Sequence, residues 1–161
     1  MALKRTNGTT DKELGKLYRN NGTNDVQIGK LYRNNGSADV LIYQAQSDVL
    51  TITAQHQYAG QIVTSNKITN TDGYSKMVIE NVSASGGNFG NNWARLYCNG
   101  VIVLDTGDKD NADFYNAIKS WKGTFNISQN GQVYVEAYTK EDINRDDYGD
   151  GISVIVKFHF E

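Results

Sequence analysis

The sequence predicts an all-β protein: an N-terminal tandem β-hairpin repeat, then an antiparallel, jelly-roll-like β-sandwich with at most one short helix. Three observations predict it. Short runs of alternating apolar and polar residues recur at roughly 8–12-residue spacing. The turns between them are written in Asn and Gly, with 16 Gly and no Pro in 161 residues. Finally, an eight-residue block, Gly15-Lys16-Leu17-Tyr18-Arg19-Asn20-Asn21-Gly22, recurs unchanged fourteen residues later as Gly29-Lys30-Leu31-Tyr32-Arg33-Asn34-Asn35-Gly36.

Asn-Gly between alternating segments signals a hairpin, because a type I′ turn needs positive φ at both central positions. A two-residue loop at Asn21-Gly22 predicts Leu17 opposite Val26 and Tyr18 opposite Asp25. In the second copy it predicts Leu31 opposite Val40 and Lys30 opposite Leu41. This register sets apolar against apolar on one face. A fourteen-residue unit buries little by itself. Residues 14–43 are therefore expected as a three-stranded meander bent at Gly29, or as copies from several chains wound together with the Leu/Val stripe inside.

Further strands are expected at Val49–Thr53, Gln61–Thr64 and Met77–Val82, with a flexible polar loop over residues 83–92. Asn99-Gly100 predicts a second type I′ hairpin with Leu96 facing Val103 and Cys98 facing Val101. Gln129-Asn130-Gly131 predicts a three-residue hairpin loop with Gly131 in the left-handed region, Ile127 opposite Val133 and Phe125 opposite Val135. Phe114, Ile118 and Trp121 at i, i+4, i+7 behind Asp108 or Asp110 predict a short helix. Ile152, Val154, Val156, Phe158 and Phe160 form the core face of a terminal strand.

Composition excludes several classes. Net charge is −2, so no basic field invites nucleic acid. No stretch approaches the ~18 apolar residues of a membrane span, and no signal-peptide core stands at the start. Cys98, the single cysteine, permits no intrachain disulfide and reads as a small core residue. No catalytic residue is assigned: His56 and His159 have no nucleophile elbow beside them, and phosphate loops, CxxC and HExxH are absent.

Two weaker binding signals remain. Asp142, Asn144, Asp146 and Asp150 occupy positions 1, 3, 5 and 9 of a calcium-loop pattern. Asp147 stands where glycine belongs, however, and Ser153 where the bidentate Glu belongs. Calcium is thus the single cofactor candidate, with a solvated loop as the plainer reading. Aromatic rings that could stack on a sugar face are Tyr58, Tyr74, Trp93, Tyr115, Trp121, Tyr138 and Tyr148, of which Trp93, Trp121 and Tyr148 are the leading candidates.

The repeat, continued by Thr/Ser-x-Asp-Val and ending in Val40-Leu41-Ile42-Tyr43, resembles the N-terminal repeats of small virion proteins of tailed bacteriophages and prophages, over residues 3–44. The resemblance implies a virion structural protein, expected to be tail-associated (fibre or baseplate) and located in the particle after assembly in the host cytoplasm. Residues 1–44 would anchor and oligomerise, and residues 45–161 would be displayed for host attachment or assembly. Leu17, Tyr18, Val26, Leu31, Tyr32 and Val40 are the expected anchoring residues. The expected partners are other virion proteins, further copies of this chain (a homo-oligomer, trimer favoured) and a host-surface glycan. Capsid decoration, as in a head fibre, and a stand-alone carbohydrate-binding module are the alternatives.

Overall fold

The computed structural model describes residues 4–7, 10–13, 17–20, 22–23, 25–86, 91–140 and 150–161. The chain divides into two compact units, residues 1–46 and residues 47–160.

Among its described residues the first unit contains three two-stranded antiparallel pairs, each a hairpin in chain order. They are β1 (Lys4–Asn7) with β2 (Thr10–Glu13), β3 (Leu17–Asn20) with β4 (Asp25–Ile28), and β5 (Lys30–Asn34) with β6 (Asp39–Gln44). The first hairpin reveals a third, degenerate copy of the repeat. Arg5, Asn7, Gly8, Thr9 and Asp11 lie fourteen positions before Arg19, Asn21, Gly22, Thr23 and Asp25. Register is shared by all three copies: Thr6 faces Asp11, Asn20 faces Asp25 and Asn34 faces Asp39.

This corrects the two-residue loops. Leu17 lies opposite Ile28 rather than Val26, and Val26 lies opposite Arg19. Val40 faces Arg33 and Leu41 faces Tyr32, while Leu31 faces Tyr43 across a bulge. The side chains of the second copy explain why four loop residues win. Asn35 Oδ1 accepts from the Ser37 and Ala38 main-chain N–H groups at 3.1 and 2.9 Å and from Ser37 Oγ at 3.1 Å. Asn34 Oδ1 accepts from Gly36 N at 2.7 Å, and Asn34 Nδ2 donates to Asp39 Oδ1 at 2.9 Å. Asn35 is thus an Asx-turn residue outside the positive-φ region, and Gly36 alone, at φ +94°, takes the left-handed step. The meander is also replaced: β4 and β5 are separate strands parted at Gly29, each paired within its own hairpin.

The second unit is a β-sandwich of antiparallel sheets. Its strands are β7 (Leu50–Tyr58), β8 (Val63–Thr64), β9 (Ile68–Thr69), β10 (Lys76–Gly86), β11 (Asn92–Cys98), β12 (Val101–Asp105), β13 (Thr124–Asn126), β14 (Gln132–Thr139) and β15 (Asp150–Phe160). One sheet has the order β13-β10-β15-β7; the other runs β12-β11-β14-β8, with β9 also paired to β14. Ile52, Val154, Val156 and Phe158 from the first sheet meet Leu96, Val133 and Val135 from the second in one core, all essentially without solvent contact. Helix α1 (Asn111–Lys119) is capped by Asp110, whose side chain accepts from Asp113 N, and it buries Phe114 and Ile118 in that core.

Three further expectations are revised here. The loop expected over 83–92 is strand as far as Gly86, because Val82 and Ala84 turn towards the core while Ser83 and Ser85 stay exposed opposite β15. The Asn99-Gly100 turn has positive φ at both residues and pairs Cys98 with Val101, but a bulge moves Leu96 from Val103 to Leu104. The predicted hairpin at residues 129–131 is instead a corner between sheets: β13 pairs with β10, and β14 with β11. Asn130, at φ 63°, takes the left-handed place expected of Gly131. Asn70 holds this corner, accepting from Asn130 N and donating its own N–H to Gly131 O.

Candidate functional site

The candidate site is the outer face of the β12-β11-β14-β8 sheet. In a strand, successive side chains alternate between faces. On β11 the inward residues are Asn92, Ala94, Leu96 and Cys98, all buried; Trp93, Arg95 and Tyr97 point outward, half-exposed. On β14 Val133, Val135, Ala137 and Thr139 are buried, and Tyr134, Glu136 and Tyr138 point outward. Pairing sets Trp93 opposite Tyr138, Arg95 opposite Glu136 and Tyr97 opposite Tyr134. The result is a ladder with an aromatic pair at each end and, between them, Arg95 and Glu136, residues of opposite charge, in register.

The groups of the ladder hold one another. Trp93 and Tyr138 stack with centroids 5.7 Å apart, and Tyr97 and Tyr134 at 4.5 Å with nearly parallel planes. The Arg95 guanidinium lies 4.6 Å from the Trp93 centroid, and the Lys67 ammonium 4.6 Å from that of Tyr134. Arg95 Nε donates to Asp105 Oδ2 at 3.0 Å, which raises the guanidinium pKa. Tyr97 OH donates to Glu136 Oε2 at 2.8 Å. Desolvation first, and that hydrogen bond second, raise the Tyr97 phenol above its usual range. Thr64 lies beside Glu136 on β8, and Ile102 beside Tyr97 on β12, where it is exposed.

Of the predicted ligand-binding rings, the structure brings Trp93 and Tyr138 together in this ladder. A sugar stacking on Trp93 would have to displace Arg95 or Tyr138. Trp121 is only 6% exposed and belongs to the core behind α1, so it offers no ligand face. Tyr74 stacks on Phe160, and Tyr115 OH donates to Gly86 O. Tyr148 lies outside the described residues, as do Asp142, Asn144 and Asp146 of the calcium-loop candidate; Asp150 opens β15. Among the described residues, no three His, Cys, Asp or Glu side chains come together as metal ligands.

Of the anchoring residues, Leu17, Tyr18 and Val26 lie on the paired strands β3 and β4. Leu31 is half-buried, whereas Tyr32 and Val40 are 52% and 41% exposed. Cys98 is buried as expected, with its thiol pKa pushed up by desolvation. His56 borders an open cleft with Gln55, Gln57, Ser85 and Ser153. His159 is buried, its Nδ1 2.5 Å from a carboxylate oxygen of Glu80, the extra residue of the β10 bulge.

Arg95, Tyr97, Tyr134, Glu136 and Lys67 escaped the sequence reading. The signal was present: aromatic–charged–aromatic at i, i+2, i+4 occurs in both Trp93-x-Arg95-x-Tyr97 and Tyr134-x-Glu136-x-Tyr138. Comparisons with protein families, curated proteins and solved structures give no match for this chain.

Proposed function

We propose that this chain is a non-catalytic structural component of a tailed-bacteriophage particle, tail-associated, held by its N-terminal hairpins while the sandwich is displayed. One observation carries the reading. The turn of the β5–β6 hairpin satisfies itself through Asn34, Asn35, Gly36, Ser37 and Asp39. Tyr32, Val40 and Leu41, by contrast, stay exposed: Leu41 faces Tyr32 and Val40 faces Arg33 across the strands, and that pairing leaves all three in solvent. The Tyr, Arg and Val of this stretch stand at the same places in the preceding copy, as Tyr18, Arg19 and Val26. Residues kept between copies beyond the needs of the turn serve contact, and a short repeated hairpin that cannot bury its own apolar surface gains most by docking. The resemblance of residues 3–44 to virion repeats supports the same conclusion.

Deleting residues 1–46 tests it. The remaining chain is expected to keep its β circular dichroism and cooperative melt, to lose the assembly that the hairpins form, seen as a smaller species by light scattering, and to vanish from purified particles. Incorporation of the deleted chain at the level of the intact one would refute the anchoring role.

A further inference from the structure

We infer that the aromatic ladder on β11 and β14 is a contact surface for a second copy of this chain, the two sheets packing face to face about a twofold axis. The inference goes beyond the anchoring role of the hairpins and does not depend on it.

The ladder has the composition of a protein contact. Half-exposed Trp, Tyr and Arg side chains concentrate binding energy in protein interfaces because they offer large, rigid area with a polar tip. The rings already stack on one another and carry Arg95 and Lys67 against them. The face is therefore ordered before binding, and little side-chain freedom remains to be lost.

The charge pattern selects the occupant. Across the strands the middle row reads Asp105, Arg95, Glu136, Thr64. A twofold axis running along the strands, between β11 and β14, exchanges the two strands across the interface. Arg95 then faces the partner's Glu136, and Glu136 faces the partner's Arg95. Trp93 faces the partner's Tyr138, Tyr97 the partner's Tyr134, and Asp105 the neutral partner's Thr64. Every charged position on β11 and β14 meets its opposite, and every ring meets a ring. A twofold axis across the strands would set Arg95 on Arg95 and Glu136 on Glu136, and like charges exclude it. The mirrored order of the two strands is what an isologous contact, in which one patch binds itself, requires.

Size sets the strength. Four strands at ~4.8 Å and about seven residues at ~3.4 Å give a face of roughly 450 Å² per copy. The ~900 Å² total lies at the weak end of specific interfaces. Association is therefore concentration-dependent, and it appears as a doubling of whatever assembly residues 1–46 form.

Sedimentation velocity of the full chain over a wide concentration range, with Arg95→Glu and Glu136→Arg made separately, tests the contact. Each variant sets like charges over one another twice in a homotypic pair, so each is expected to lose the doubling. Mixed in equal amounts, the substituted position 95 of one chain faces the substituted position 136 of the other, and the two native residues face each other. The mixture is then expected to regain the doubling as a heterodimer. Wild-type chain that never doubles overturns the inference, as does a single variant that doubles like wild type. So does a mixture of two variants with wild-type melting curves that stays undoubled. Should either reversal fail to fold, Glu136→Gln and Arg95→Met remove the charges without reversing them; doubling unchanged in both would overturn the inference equally. None of these outcomes touches the deletion experiment, which decides the anchoring role separately.

Discussion

Asn70 is 1% exposed, and replacing it by Ala is expected to be among the costliest polar substitutions in the sandwich. Its Nδ2 donates to Tyr74 O at 2.8 Å and to Ser128 O at 3.0 Å, and its Oδ1 accepts from Tyr74 N at 3.1 Å. Each net hydrogen bond contributes about 1 kcal/mol, and stranding main-chain groups away from water adds to the loss. Asn70→Ala should therefore cost about 3–4 kcal/mol. Urea unfolding followed by tryptophan fluorescence measures this as a lower midpoint at unchanged slope. Asn70→Asp sharpens the test, because it keeps the acceptor for Tyr74 N but turns a carboxylate oxygen towards two carbonyls. The neutral acid can donate to one of those carbonyls, so the fold raises this carboxyl's pKa above its unfolded value of ~3.9. A raised pKa stabilises fully below the unfolded value and loses that contribution as pH rises through the folded one. Asn70→Asp should therefore fall furthest below wild type at neutral pH and close part of the gap in acid. A cost under about 1 kcal/mol for Asn70→Ala, or a gap for Asn70→Asp independent of pH, would refute the reasoning.

Further outcomes follow from the same geometry. Phe114→Ala should cost about 3–5 kcal/mol, measured by the same unfolding, because the ring is wholly buried beneath α1. Tyr97→Phe should flatten the alkaline limb of the stability–pH curve. The raised Tyr97 pKa stabilises fully below the ordinary phenol value of ~10 and is lost as pH rises through the folded value, so melting temperatures of the two proteins should converge above it. Cys98 should resist a thiol reagent in the native protein and react at once in denaturant; rapid native labelling would contradict its burial. Gly151→Ala should lower the melting temperature sharply, since a Cβ there would lie 1.8 Å from the His56 carbonyl oxygen of β7.

The elements written by alternation were legible. Ile152, Val154, Val156, Phe158 and Phe160 all turn inward on β15, and Asp110 caps the helix that buries Phe114 and Ile118. Turns were legible as turns but not as connections. Asn35 looked like the first residue of a two-residue loop, yet its side chain closes a wider turn on Ser37 and Ala38. Gln129-Asn130-Gly131 looked like a hairpin, yet Asn70, distant in sequence, fastens it as a corner. Such choices depend on partners that local pattern does not name. The ladder needed one step more. Trp93 was visible alone, but Arg95 and Tyr97 acquire meaning only once β14 is known to lie beside β11 in the register that opposes Glu136 and Tyr134.

The self-contained hydrogen bonding of the turn at residues 34–39 has a consequence for inheritance. A duplication of fourteen codons adds one whole unit in frame, with its own Asn, Gly and Asp in place, and a deletion removes one whole unit. The block Gly-Lys-Leu-Tyr-Arg-Asn-Asn-Gly, identical in two copies, provides the sequence identity through which such slippage occurs, whereas the degenerate first copy has drifted away from it. Related chains should therefore vary in the number of hairpins while the sandwich keeps its length.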